Sequence, residues 1–134
     1  MALCKNGNWL SILVSFGIAG VFAPTIFAKG NYALAQIVPD ATLGDRPSKV
    51  TPNVNIKGSA ADRIDGGVSR GANLFHSFQE FNVKELQRVY FKNPTAIENI
   101  LTRVTGNNIS NILGTLGVDG SANLFLLNPN GIVF

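Results

Sequence analysis

Beyond residue 35 the chain has no cysteine, no methionine and no tryptophan; Met1, Cys4 and Trp9 are the single copies of each. Without cysteine, residues 36–134 can hold neither a disulfide staple nor a thiolate metal site. There is one histidine, His76, set between Phe75 and Ser77. A lone histidine beside aromatics reads as structural, because general acid–base work needs a positioned partner. Charge is also sparse, at 14% of residues with a net charge of +3. Setting aside Lys5 and Lys29 leaves 9 basic against 8 acidic residues, a net charge of +1. No clustered basic patch remains, so nucleic acid is not an expected partner. Asp62 and Asp65 are the nearest thing to a carboxylate pair of the kind that cleaves glycosides. Followed by Gly66-Gly67, they read instead as a solvated turn, with Asp65 supporting the bend through side-chain hydrogen bonds. Gly114, Gly117 and Gly120 lack the GK[ST] ending of a phosphate loop. Asn108-Ile109-Ser110 matches a glycosylation sequon, a pattern frequent by chance. The expectation is a chain with no catalytic residue, no cofactor, no metal site and no small-molecule substrate.

What is present begins with a leader. Residues 1–8 are polar with one cation, Lys5, and residues 9–28 carry no charge. Ala33-Leu34-Ala35 then forms a small-x-small cleavage site, with the cut expected between Ala35 and Gln36. A cut after Ala28 is an alternative. An uncleaved anchor is the rival reading, since about 20 apolar residues can span a bilayer. Pro24, the glycines and the Ala33-x-Ala35 site favour a signal peptide over residues 1–35. Cys4 precedes the apolar stretch, which argues against a lipid-anchored cysteine. A chain exported into an oxidising compartment without cysteine suits a polypeptide that crosses a narrow pore unfolded.

Residues 36–134 form one further domain with no linker. Their apolar runs are short and rich in β-branched residues: 37–38, 54–56, 89–91, 112–118 and 124–127. Gly44-Asp45, Lys57-Gly58, Asp65-Gly66-Gly67, Asn93-Pro94, Gly106-Asn107-Asn108 and Asp119-Gly120 separate them. Many short strands with Gly/Asn turns predict an all-β fold: sandwich, barrel or solenoid. Alternation over 112–118 predicts one strand there. Leu74, Phe75, Phe78 and Phe81 also fit helical spacing, as do Ile97, Ile100, Leu101 and Val104. A single helical turn near 75–79 is compatible with the first set. Ala72-Asn73-Leu74-Phe75 recurs as Ala122-Asn123-Leu124-Phe125, an echo that fits stacked units reusing one local shape. Asn73, Asn82, Asn93, Asn99, Asn111, Asn123, Asn128 and Asn130 are suited to turn hydrogen bonds and stacked ladders.

The most specific feature is Asn128-Pro129-Asn130-Gly131-Ile132. Pro129 presets φ at the second turn position, Asn130 tolerates the third, and Gly131 suits the fourth. With Arg103-Val104-Thr105-Gly106, 112–118 and Gly120-Ser121-Ala122-Asn123-Leu124-Phe125 ahead of it, this turn resembles the N-terminal secretion domain of filamentous-haemagglutinin-type exoproteins. Gly71-Ala72-Asn73-Leu74-Phe75-His76-Ser77-Phe78, Phe81-Asn82-Val83 and Asn93-Pro94 add to the resemblance, which covers about 38–134. Asn108-Ile109-Ser110 stands where the family often carries Asn-Pro-Ser.

The resemblance implies a right-handed parallel β-helix with N-terminal capping strands. The family's domain is longer, so the resemblance also implies that this copy is truncated at its C-terminal end. A solenoid cut between coils exposes an apolar end, so residues 36–134 alone are expected to be marginally stable or aggregation-prone. Functionally it implies two-partner secretion. The general secretion translocon takes the leader across the inner membrane. An outer-membrane β-barrel with soluble periplasmic domains then recognises the domain, and the chain folds outside, secreted or at the cell surface. By that resemblance Asn128, Pro129, Asn130, Gly131 and Ile132 form the secretion motif, with Asn93 and Pro94 second. The alternative is a structural or adhesin fragment that binds a ligand directly, without a dedicated transporter.

Overall fold

The computed structural model describes residues 36–134; the leader and the candidate cleavage residue Ala35 lie outside them. Eleven strands and no helix occur among the described residues. They are β1 (Ile37–Pro39), β2 (Ser48–Ile56), β3 (Ser59–Gly66), β4 (Val68–Arg70), β5 (Asn73–Phe81) and β6 (Arg88–Lys92). There follow β7 (Asn99–Val104), β8 (Ser110–Asn111), β9 (Thr115–Asp119), β10 (Asn123–Leu127) and β11 (Ile132–Val133). Among the described residues no sheet closes into a barrel.

The later strands pair in parallel, each with the strand one pass earlier. β5, β7 and β10 lie side by side in register, as do β3, β6 and β9. β8 pairs with β11, and Val83 bridges Ile112. The chain therefore runs three successive passes over the same three lines: β3, β5 and Val83; β6, β7 and β8; β9, β10 and β11. Antiparallel strands flank the first pass. β2 forms a hairpin with β3, and both β1 and β4 pair with β5. The hairpin turns at Lys57-Gly58, where both residues have positive φ, the geometry that matches strand twist.

Because strand side chains alternate, aligned strands stack like positions on like. Leu74, Ile100 and Leu124 share one inward row; His76, Thr102 and Leu126 share the next; Ile64, Phe91 and Val118 face them from the other sheet. Ile64, Phe78, Phe81, Val89, Phe91 and Ile100 are fully buried. Each such side chain contributes roughly 1.5–3 kcal/mol through removal from water. Phe78 meets Phe81 edge-on at 5.1 Å between ring centroids. The outward rows carry the asparagine ladder: Asn99 Nδ2 donates to Asn73 Oδ1 and Asn123 Nδ2 to Asn99 Oδ1, both at 3.0 Å. The Ala-Asn-Leu-Phe echo thus marks one corner of the first and third passes.

Three local expectations are corrected. Residues 75–79 hold no helical turn; they belong to β5, whose row positions bury Phe78 and His76 together. Residues 112–118 are not one strand. The chain leaves the Val83 line at Ile112 and turns through Leu113-Gly114 before β9. Gly114 is pressed against the carbonyls of Lys84 and Gln87, so the backbone bends where alternation alone would carry it straight on. Asp65 does not brace the Gly66-Gly67 bend through its side chain; it pairs with Arg63 Nε at 3.2 Å, and Gly66 is the last residue of β3.

Candidate functional site

The Asn128 turn joins β10 to β11. Gly131 N donates to Asn128 O at 3.0 Å, closing the four-residue turn expected from Pro129 at its second position. Asn128 Oδ1 accepts from Asn130 N at 2.9 Å, the side-chain mimic of a backbone turn, and from Asn130 Nδ2 at 3.1 Å. Gly131 has φ of 117°, and a Cβ there would meet only Ile109 Cγ2 at 3.7 Å. Backbone conformation rather than lack of space therefore requires this glycine.

The same side chains reach back one pass. Asn128 Nδ2 donates to Asn108 O at 3.0 Å and to Ser110 Oγ at 2.9 Å. Asn130 Nδ2 donates to Gly106 O at 2.8 Å. Ser110 N then donates to Gly131 O, and Ile112 N to Val133 O, which seats β11 beside β8. Ile132 packs against the apolar core, while Pro129 and Asn130 are exposed. Every polar group of the Asn128 side chain is thus engaged within the chain itself.

Asn93 performs a similar job elsewhere. Its Nδ2 donates to Pro94 O and Ile97 O, both at 3.0 Å, which holds the corner between β6 and β7. Its Oδ1 accepts from Ser121 N at 2.9 Å and Ala122 N at 2.8 Å, just ahead of β10. The fold does not bring Asn93-Pro94 together with 128–132. The two groups act at opposite ends of β10, about 20 Å apart at the usual rise per strand residue. Gln36, the residue expected to follow the cleavage site, is described; its carbonyl accepts from Asn82 N at 2.8 Å.

The sequence does not reveal the partners in these bonds: Gly106, Asn108 and Ser110 as acceptors for the turn, Ser121 and Ala122 as donors to Asn93. In sequence Asn108-Ile109-Ser110 reads as a sequon, as the end of a turn signal at Gly106-Asn107-Asn108 and as a departure from a family pattern, none of which pairs it with Asn128. Its position, about one pass before the motif, was the available signal.

Elsewhere the chemistry is structural. His76 is buried, with Nδ1 2.8 Å from Ser48 Oγ and its ring 5.1 Å from that of Phe91. Burial pushes its pKa down to about 4, against a smaller upward pull from Asp65. Asp40 is pushed up by burial, but hydrogen bonds from Thr105, Thr42 and Ser77 outweigh this and hold it at about 2. Asp62 accepts from Gln87 Nε2 at 2.8 Å, so the two carboxylates considered for glycoside chemistry have separate partners, Gln87 and Arg63. Among the described residues no group of His, Cys, Asp and Glu could hold a metal. A cavity of about 230 Å³ lies among Leu43, Phe75, His76, Leu101, Thr102, Arg103 and Leu127, and His76 Nε2 and Thr102 Oγ1 are buried without a hydrogen-bond partner among the described residues. The cavity is smaller than the roughly 300–1,000 Å³ of ligand pockets and lies outside the turn.

No curated protein and no solved structure matches the chain. A family model described as TPS secretion domain matches residues 35–134, which takes in the whole of the stacked strands and both asparagine corners. The chain belongs to this family of two-partner secretion domains.

Proposed function

We propose that residues 36–134 act as the export signal of a larger exoprotein, and that Asn128–Ile132 serves export by shaping the chain. The family is one of secretion targeting in two-partner systems, not a catalytic one; it implies an outer-membrane transporter as partner and passage through the periplasm. A leader ending at Ala35 is removed, and soluble periplasmic domains of the transporter recognise the extended chain. Strand addition to a sheet edge is a physical mode for that recognition. The chain crosses unfolded and folds outside as a right-handed parallel β-helix, with β1, β2 and β4 capping its first coil.

The observation that supports this most is the link between consecutive passes. Nearly every asparagine named above bonds to a residue one pass away: Asn99 to Asn73, Asn123 to Asn99, Asn93 to Ser121 and Ala122, Asn128 to Asn108 and Ser110. Each pass completes hydrogen bonds left open by the one before, so folding proceeds by local additions. Local folding outside the membrane opposes back-sliding without a nucleotide-driven motor. In the folded domain Asn128 is saturated internally, so what it contributes there lies in the turn rather than in an exposed contact.

The test is export of the complete exoprotein in cells that carry its transporter. Asn128→Ile is expected to block appearance in the medium and at the surface, with the chain retained or degraded in the periplasm. Normal export of this variant would remove the motif from the export signal.

A further inference from the structure

We infer that Asn82 is a positioning residue of the secretion domain, placing the segment on which the Asn128 turn closes; this inference rests on the export reading above. Asn82 follows the fully buried Phe81 and precedes Val83, which is 1% exposed, so its backbone is fixed by the core on both sides. Its N–H donates to Gln36 O at 2.8 Å. Its side-chain Oδ1 accepts from Asn111 N at 2.9 Å, across 29 residues of sequence. Val83 continues the same junction: its N–H donates to Asn111 O at 2.9 Å, and its carbonyl accepts from Leu113 N at 2.8 Å.

Asn111 lies between the two residues that hold the motif's return strand. Ser110 N donates to Gly131 O, Ile112 N donates to Val133 O, and Ser110 Oγ receives Asn128 Nδ2. One corner therefore runs continuously from Gln36 through Asn82 and Asn111 to the Asn128 turn. In the first pass Asn82 sets where the second pass begins its return; in the third, Asn128 locks onto that same return. A hydrophobic or short side chain at 82 leaves Asn111 N–H without its acceptor, in a part-buried position where an unmade bond is costly. Aspartate at 82 keeps an oxygen for Asn111 N–H, and the Asn82 side-chain nitrogen has no role in the bonds described.

The experiment compares Asn82→Leu, Asn82→Ala and Asn82→Asp in the full chain, by residue-resolved amide exchange on purified protein and by export in cells carrying the transporter. In Asn82→Leu and Asn82→Ala the Asn111 amide is expected to exchange about tenfold faster, as loss of one hydrogen bond implies, with Phe91 on β6 unchanged. Export is expected to fall severalfold in Asn82→Leu and to stay near wild type in Asn82→Asp. Unchanged Asn111 exchange in Asn82→Ala overturns the inference, as does a uniform rise across β3, β6 and β8. If Asn82→Leu fails to fold, Asn82→Ala against Asn82→Asp decides by the same two readouts. Normal export of Asn82→Leu beside a blocked Asn128→Ile overturns the part of Asn82 in secretion. Faster Asn111 exchange with normal export of both variants keeps the positioning role and overturns the export reading instead.

Discussion

Asn128 Nδ2 lies 2.9 Å from Ser110 Oγ, and Ser110 is completely buried. The motif turn therefore caps a polar group of the interior as well as reversing the chain. Asn128→Asp removes the donor from this side chain. Its carboxylate still accepts from Asn130 N–H and takes the Ser110 hydroxyl as a donor, but it offers no donor to the Asn108 carbonyl. The expected loss is about 0.5–1.5 kcal/mol, the net worth of one hydrogen bond. A shift of the urea midpoint with unchanged slope would measure it. An unshifted midpoint would mean that the turn stands without its bond to the Asn108 carbonyl.

How much of this was legible beforehand depends on how local the chemistry is. The Asn128 turn could be read because proline, asparagine and glycine act within four residues. The Ala-Asn-Leu-Phe echo marked two rungs of the ladder, but Asn99 follows Glu98 rather than alanine and gave no echo. The asparagine rungs are 26 and 24 residues apart, so no fixed period announces the stacking. Ser48 and His76 meet across 28 residues, and nothing near either predicts the other. The bend at Gly114 was hidden for the opposite reason: alternation over 112–118 is a good strand signal, overridden by contact with the 84–87 corner.

Two corners carry side chains where the backbone suits glycine. Leu86 has φ of 66° and Ala96 φ of 68°. Leu86 is also 96% exposed, so its removal forfeits no packing. The left-handed conformation costs a side-chain-bearing residue roughly 1–2 kcal/mol, while glycine in the unfolded chain costs about 0.5–1 in entropy. Leu86→Gly is expected to stabilise the domain by about 0.5–1 kcal/mol, with Ala96→Gly in the same direction. A lower melting temperature for Leu86→Gly would show that the exposed leucine makes a stabilising contact.

Gly114 is predicted to behave in the opposite way. A Cβ there would strike the Lys84 and Gln87 carbonyls and approach Val83 Cγ1 at 3.0 Å. Thr115 N–H donates to Gln87 O, and Gln87 N–H to Lys84 O, so neither carbonyl can move without breaking a bond. Gly114→Ala is expected to destabilise by about 1–3 kcal/mol, as overpacking does. Gly117 is a useful control, since its Cβ would meet the Tyr90 side chain at 3.0 Å rather than backbone. Equal losses for the two alanine variants would argue against the carbonyl clash.

Acid should weaken the fold through His76 before it reaches Asp40. Burial depresses the His76 pKa from 6.5 to about 4. The unfolded chain therefore binds a proton in that interval while the folded chain does not. The stabilisation is intact above the unfolded value and is lost as pH falls from 6.5 towards 4. Its full size is on the order of 3 kcal/mol, from 1.36 kcal/mol for each pKa unit. Asp40 acts lower: its pKa is held at about 2 against 3.8, so its contribution is lost only as pH falls through that range. Ser48 Oγ at Nδ1 and the more distant Asp65 are the polar groups acting on the ring, and Asp65 offsets only part of the burial. His76→Gln keeps a hydrogen-bonding side chain beside Ser48 and removes the titration. Its urea stability is expected to change little between about pH 7 and pH 4.5, where wild type loses most of the His76 increment. An equal fall in both proteins would assign the acid sensitivity to other groups and leave His76 a neutral packing residue.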